Sequence, residues 1–165
     1  MSYFRFAAMI ATSTVVMYGL MYLNTDQFDH VFYSQTRLWM ALLMGAVMAV
    51  IMLGFMWSMY QKRAVNLAIM AAAVAVFAGS LFLVRSQALV GDVDYMRAMI
   101  PHHSIAVLTS TNANIRVARV RELADEIIAA QVREIDEMKS LIADIEANPT
   151  PADAPVLPPG PVDGP

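Results

Sequence analysis

Apolar positions follow two different rhythms along the chain. Over residues 4–23, 38–60 and 64–84 they run on almost without interruption. A helix rises about 1.5 Å per residue, so each run spans roughly the 30 Å of a bilayer's hydrocarbon. Each therefore reads as a transmembrane helix. A secretory leader competes for the first run, but the apolar stretch is longer than a leader's core and no clean small-x-small cleavage site follows it. It is expected to remain as an anchor. After Arg85 the rhythm changes to a helical alternation of apolar and polar positions, with a turn and cap at Gly91-Asp92 and a break between Thr111 and Ile115. Residues 148–165 are Pro-rich with almost no large apolar side chains, and are expected to form a disordered tail. The predicted division is residues 1–85 in the membrane, a helical hairpin at 86–147, and the tail.

The phase of the two hairpin helices points to chemistry. With Met99 set at zero and 100° per residue, Met96 falls near about +60°, His102 near about −60°, His103 near about +40° and Ala106 near about −20°. Two thioethers and two imidazoles are thus expected on one face around a small alanine. Pro101 has no N–H and clashes with the preceding turn, so a kink that aims both histidines at one point is expected here. On the second helix, with Gln131 at zero, the inner arc gathers Ala124, Ile127, Ile128, Ile135, Met138, Ile142 and Ile145. Glu122, Asp125, Glu126, Arg133, Asp136, Glu137 and Asp144 fall on the outer side. Only Gln131 and Glu134 interrupt the apolar stripe. A lone buried carboxylate costs several kcal/mol unless paired or coordinated, so Glu134 requires a histidine or a metal as partner. Two readings stay open. Either Glu134 and a histidine hydrogen-bond within a two-helix core packed by Met96, Met99 and Met138, or these side chains and Gln131 surround a metal ion. Soft thioethers beside imidazoles suit copper, and Cu(I) above all.

Composition narrows the class. At 58% hydrophobic and 15% charged residues, the chain is too apolar for an ordinary soluble domain. With no cysteine, disulfides, thiolate zinc sites and thiol catalysis are excluded. From Ser86 onward there are twelve Asp or Glu against six Arg or Lys, which argues against nucleic-acid binding. Lys62 and Arg63 form a basic turn between the second and third runs, and Arg5 lies at the start of the first. By the positive-inside rule these mark the cytoplasmic side, so the hairpin is expected outside, on the periplasmic face of a bacterial inner membrane. Two further features invite a metal reading. Asp26, Asp29 and His30 share one side of a helical turn in the connection after the first span, where a solvated loop is the commoner outcome. Met40, Met44, Met48, Met52 and Met56 repeat every four residues along the second span and, with Met9, Met17 and Met21, could line a Cu(I) path, although packing explains such a stripe more simply.

The run Asp94-Tyr95-Met96-Arg97-Ala98-Met99-Ile100-Pro101-His102-His103, with Gln131-x-x-Glu134-Ile135-x-x-Met138, resembles the domain-of-unknown-function 305 family. The resemblance spans roughly residues 92–146. It implies a small ferritin-like helical domain associated with copper outside the cytoplasm, a subset of the family having three preceding spans. The ligands it implies are Met96, Met99, His102, His103, Glu134 and Met138. Where the family often carries Gln after the paired histidines and Met six residues beyond the second, this chain has Ser104 and Thr109, one thioether fewer.

The expectation is an all-α integral membrane protein, three transmembrane helices followed by an extracytoplasmic two-helix hairpin, that binds copper without catalysing a reaction. Its partners would be the lipid bilayer, the metal ion, and a second copy or a metal-transport protein. A ferritin-like redox enzyme and a structural docking hairpin are the alternatives. The enzyme would need several inward carboxylates, and only Glu134 qualifies.

Overall fold

In the computed structural model, which describes residues 2–151 and 153–160, the chain forms five α-helices, and no strand occurs among the described residues. They are α1 (Tyr3–Leu20), α2 (Gln35–Phe55), α3 (Arg63–Ser86), α4 (Asp92–Asn112) and α5 (Ala118–Ala147). The first three are long and apolar enough to cross a membrane. Ser2 and Ser34 start α1 and α2, their hydroxyls accepting the N–H of Phe4 and Arg37 at 3.2 Å each. Residues 149–160, where described, carry no helix, while residues 152 and 161–165 of the expected tail lie outside the described residues.

The second apolar run ends its helix earlier than its hydropathy suggests. Phe55 is the last residue of α2, Met56 caps it, and Trp57–Met59 form a short 3-10 turn. That turn lets the chain reverse and buries Tyr60, whose ring lies 4.9 Å from Tyr3 and 5.7 Å from Phe6. Fully buried Asn66 donates to the Tyr60 carbonyl at 2.9 Å and accepts from the Tyr3 hydroxyl at 2.8 Å. Polar groups buried in an apolar bundle must be satisfied by one another, so these residues tie α1, α3 and the α2–α3 turn together at one end.

Helix α2 is the centre of the bundle. Its buried face is Ala41, Gly45, Ala46, Ala49 and Leu53, and the four small residues among them let neighbouring backbones approach. At Gly45 the approach leaves no room for a side chain, for a Cβ there would sit 2.3 Å from Thr14 Oγ1 of α1. The methionine stripe flanks this face. Met52 and Met56 pack on the membrane core and Met40 is exposed, a distribution that packing accounts for.

At the opposite end, α1 and α2 are joined by residues 21–34. The Arg37 guanidinium lies over the Tyr22 ring at 4.4 Å and donates to the Met21 carbonyl, while the Tyr22 hydroxyl accepts the Ser34 N–H at 3.1 Å. Helices α4 and α5 pack side by side against this end. They break at residues 113–117, two residues later than expected, and are clamped at both extremes: Arg121 donates to the Ser110 carbonyl at 2.9 Å, and Arg97 pairs with Glu146. Between the clamps lies a core of Met96, Ile100, Ile135, Met138 and Ile142, joined by Phe32 from the α1–α2 connection.

Candidate metal site

Helix α4 runs unbroken through Pro101, which is buried. Its buried positions Met96, Ile100, Ser104 and Val107 follow the three- and four-residue helical spacing, a face turned away from the arc centred on Met99. This rotation separates the paired histidines. His103 turns towards α5, whereas His102 is exposed and lines no part of the cleft described below, its ring centroid 6.3 Å from that of His103. The expected convergence of the two imidazoles does not occur, because neighbouring residues on an unbroken helix diverge by about 100°.

Between α4 and α5 lies an open cleft of about 420 Å³. It brings together five of the expected ligands, Met96, Met99, His103, Glu134 and Met138, among apolar walls that include Leu141 and Ile145. Met96 and Met138 are buried in the hairpin core. Gln131 is half-buried and stands outside the cleft. Asp92, Tyr95 and Glu137 also line it, and the helical projection already held the signal for two of these. Relative to Met99, Asp92 falls near about +20° and Tyr95 near about −40°, within the same arc. Glu137 is exposed, as its position on the outer side implied, and reaches the cleft from its rim.

The polar centre is the His103–Glu134 pair. His103 Nε2 lies 2.8 Å from Glu134 Oε2, and Nδ1 lies 3.0 Å from the Met99 carbonyl oxygen. A carbonyl can only accept, so a ring that bonds to Met99 holds its proton on Nδ1. Two states then remain for Nε2. As imidazolium it donates to the carboxylate; as neutral imidazole it turns a lone pair towards an anion, which is where a cation fits. The burial expected for Glu134 is only partial. Its side chain is 41% exposed against 12% for His103, so water offsets much of the carboxylate's desolvation. Among the described residues, no three His, Asp or Glu side chains are placed to hold a metal by themselves. Any ion in this cleft would depend on the thioethers.

The opposite face of the same two helices is built differently. Ser104, fully buried, accepts the Asp26 N–H at 2.7 Å and lies 3.0 Å from Nδ1 of buried His30. Its serine oxygen already takes one proton, so its own hydroxyl is free to donate to a neutral His30 Nδ1. Lys139 donates to Asp29 at 2.6 Å, and this ammonium holds the Asp29 carboxyl below the ordinary carboxylate range. Gln35 reaches Asp94 at 3.0 Å. The acidic connection is therefore folded onto the hairpin. Asp29 and His30 form part of a 3-10 turn, and each has a protein partner.

The architecture defines a class: three helices long and apolar enough to cross a membrane, carrying a helical hairpin with a thioether, imidazole and carboxylate cleft. Residues 92–159 match the family described as Domain of unknown function (DUF305). An uncharacterized protein of Acanthamoeba polyphaga mimivirus is 39% identical over 64 residues, covering 38% of this chain and 42% of its own length. The match thus spans less than half of that relative. No solved structure matches the chain.

Proposed function

We propose that the protein is a membrane-anchored metal-binding protein whose hairpin takes up a soft transition-metal ion, Cu(I) before all others, for handling or tolerance. The observation that carries this reading is the meeting of Met96, Met99 and Met138 with His103 and Glu134 in one cleft. Thioethers discriminate for Cu(I) through softness, the imidazole Nε2 supplies a stronger neutral donor, and the Glu134 carboxylate balances positive charge. Exposed His102 would meet an arriving ion first.

The cleft is lined wholly by α4 and α5, so uptake from the aqueous side, without passage along the methionines of α2, is the simplest route. The basic residues Lys62 and Arg63 lie at the bundle end opposite the hairpin, which supports a cytoplasmic α2–α3 turn and an extracytoplasmic hairpin at a bacterial inner membrane. A reporter active only outside the cytoplasm should work when fused after Glu146 and fail when inserted at Lys62. The reverse pattern would put the thioethers in the cytoplasm and end this placement.

A structural reading draws on the same pair, since a His103–Glu134 bond can hold two helices together with no ion present. The two are separated by changing Met96, Met99 and Met138 together to Leu. Volume and apolarity are nearly kept, so folding should suffer by less than about 1.5 kcal/mol per site. Cu(I) affinity should fall by more than about 100-fold, beyond the loss typical of removing a supporting residue around a metal. Cu(II) or Zn(II) binding through His103 and Glu134 should largely persist. Undiminished Cu(I) binding by the triple variant would make the methionines packing residues and leave the structural hairpin as the better account.

A further inference from the structure

One flank of α5 is largely apolar and exposed, is covered by none of the described residues, and is interrupted by Glu134, which pairs with His103 of its own chain. Val120, Leu123, Ile127 and Leu141 all lie on it. They share an arc of about 60°, centred some 80° from the buried positions Ala124, Ile135 and Ile142 that face α4. Along the edge of this arc runs a row of exposed charges, Arg119, Glu126, Arg133, Glu137 and Asp144.

Read from the N-terminal end, the row is positive, negative, positive, negative, negative. Its sign inverts about Ala130. A helix laid antiparallel on a second copy of itself, centred there, sets Glu126 of each copy beside Arg133 of the other. The same register sets Arg119 opposite Glu137 and Asp144. A parallel pairing sets each charge beside its own kind. Rotation about a two-fold axis repeats every favourable contact, and such self-complementarity is what an isologous interface requires.

We propose that two copies of this chain associate through antiparallel pairing of α5 along this face, centred on Ala130. The register lays Val120 and Leu123 of each copy against Leu141 and Met138 of the other. Each copy then roofs the other's cleft. The pairing itself does not depend on the metal reading; only the consequence that an ion in the cleft is shielded by the second copy rests on it.

The chain has no cysteine, so single cysteines introduced into the full-length protein report the register directly. In native membranes, mild oxidation should link Ala130→Cys to its own copy, because the two positions meet near the axis. Val120→Cys should not link, since antiparallel pairing holds the two sites about 30 Å apart, far beyond disulfide reach. Linking at Val120 in place of Ala130 overturns the antiparallel register, and linking at neither overturns the interface.

Charge reversal supplies the second arm, read as the dimer fraction of the detergent-solubilised full chain. Glu126→Arg alone, or Arg133→Glu alone, places two like-charged pairs at the axis and should weaken association roughly fivefold. The double variant restores opposite pairs and should recover the parent dimer fraction. Failure of the double variant to recover it means that these two rows do not face each other, and the proposal falls. These experiments do not involve metal, so their outcome and that of the Cu(I) measurement are independent.

Discussion

The two faces of the hairpin are made by the same helices, yet they solve opposite problems. On one, Ser104 and Lys139 are engaged by Asp26, Asp29 and His30 of the α1–α2 connection. On the other, their immediate neighbours His103 and Met138 line an open cleft that receives no residue from the membrane part. A single step along each helix separates a sealed polar contact from an accessible donor. The sealed face can bury serine and histidine because each finds a partner. The open face keeps its one strong polar pair partly in water, and fills the rest with methionine, which is apolar enough to pack and soft enough to bind metal.

The largest effect should come from the core that both faces share. Ile135 is almost completely buried between Met96, Ile100 and Met138. Ile135→Ala should cost about 2–5 kcal/mol and disorder both faces together, seen as a large fall in melting temperature accompanied by loss of Cu(I) binding. Stability lost without loss of binding would show that the cleft does not lean on this core.

Next in size is a change confined to the sealed face. Ser104→Ala removes the acceptor for the Asp26 N–H and the partner of His30, and leaving these buried groups unpaired should cost about 1–3 kcal/mol. Cu(I) affinity should stay within a small factor of the parent. If affinity fell as far as it does for the triple methionine variant, the faces would not be independent.

The mirror experiment acts on the open face. Glu134→Ala removes the partner of His103 Nε2, but with the carboxylate partly in water the cost should be near about 1 kcal/mol. Glu137→Ala, on the exposed rim, should leave the melting temperature unchanged. Equal shifts for the two variants would break the assignment of Glu134 as the residue that pairs across the helices.

The smallest effect belongs to the Asp29–Lys139 link, which is exposed. Lys139 lowers the Asp29 pKa in the folded chain, so the link adds stability at pH above the ordinary carboxylate range, about 4, and loses it as pH falls through the lowered folded value. The melting temperatures of the parent and Asp29→Asn should therefore differ slightly near about pH 7 and converge in acid. A gap that widens in acid would reverse the sign and rule out this pair as its source.

Much of this was legible in the sequence, and the failures are instructive. The outward set on α5, from Glu122 to Asp144, is exposed as its phase requires, and the thioethers come together with His103 and Glu134 as helical spacing suggested. His102 was misplaced, since angles measured from Met99 give relative positions on α4 but not which direction faces α5. Ser104 carried no signal as a packing residue. Its importance comes from Asp26 and His30, more than 70 residues away in the chain.

The sequence by itself determined the class of solvent for each segment. Uninterrupted apolar runs of this length suit helices that cross a membrane, and a helical alternation suits a boundary between core and water. The absence of cysteine likewise left methionine as the soft donor on chemical grounds alone. Tertiary structure decided the rotation of α4 and α5 about their axes, and with it which histidine turns inward. That rotation is set by what covers each face, here the α1–α2 connection on one side and none of the described residues of the membrane helices on the other, and no local pattern encodes a contact between segments so far apart.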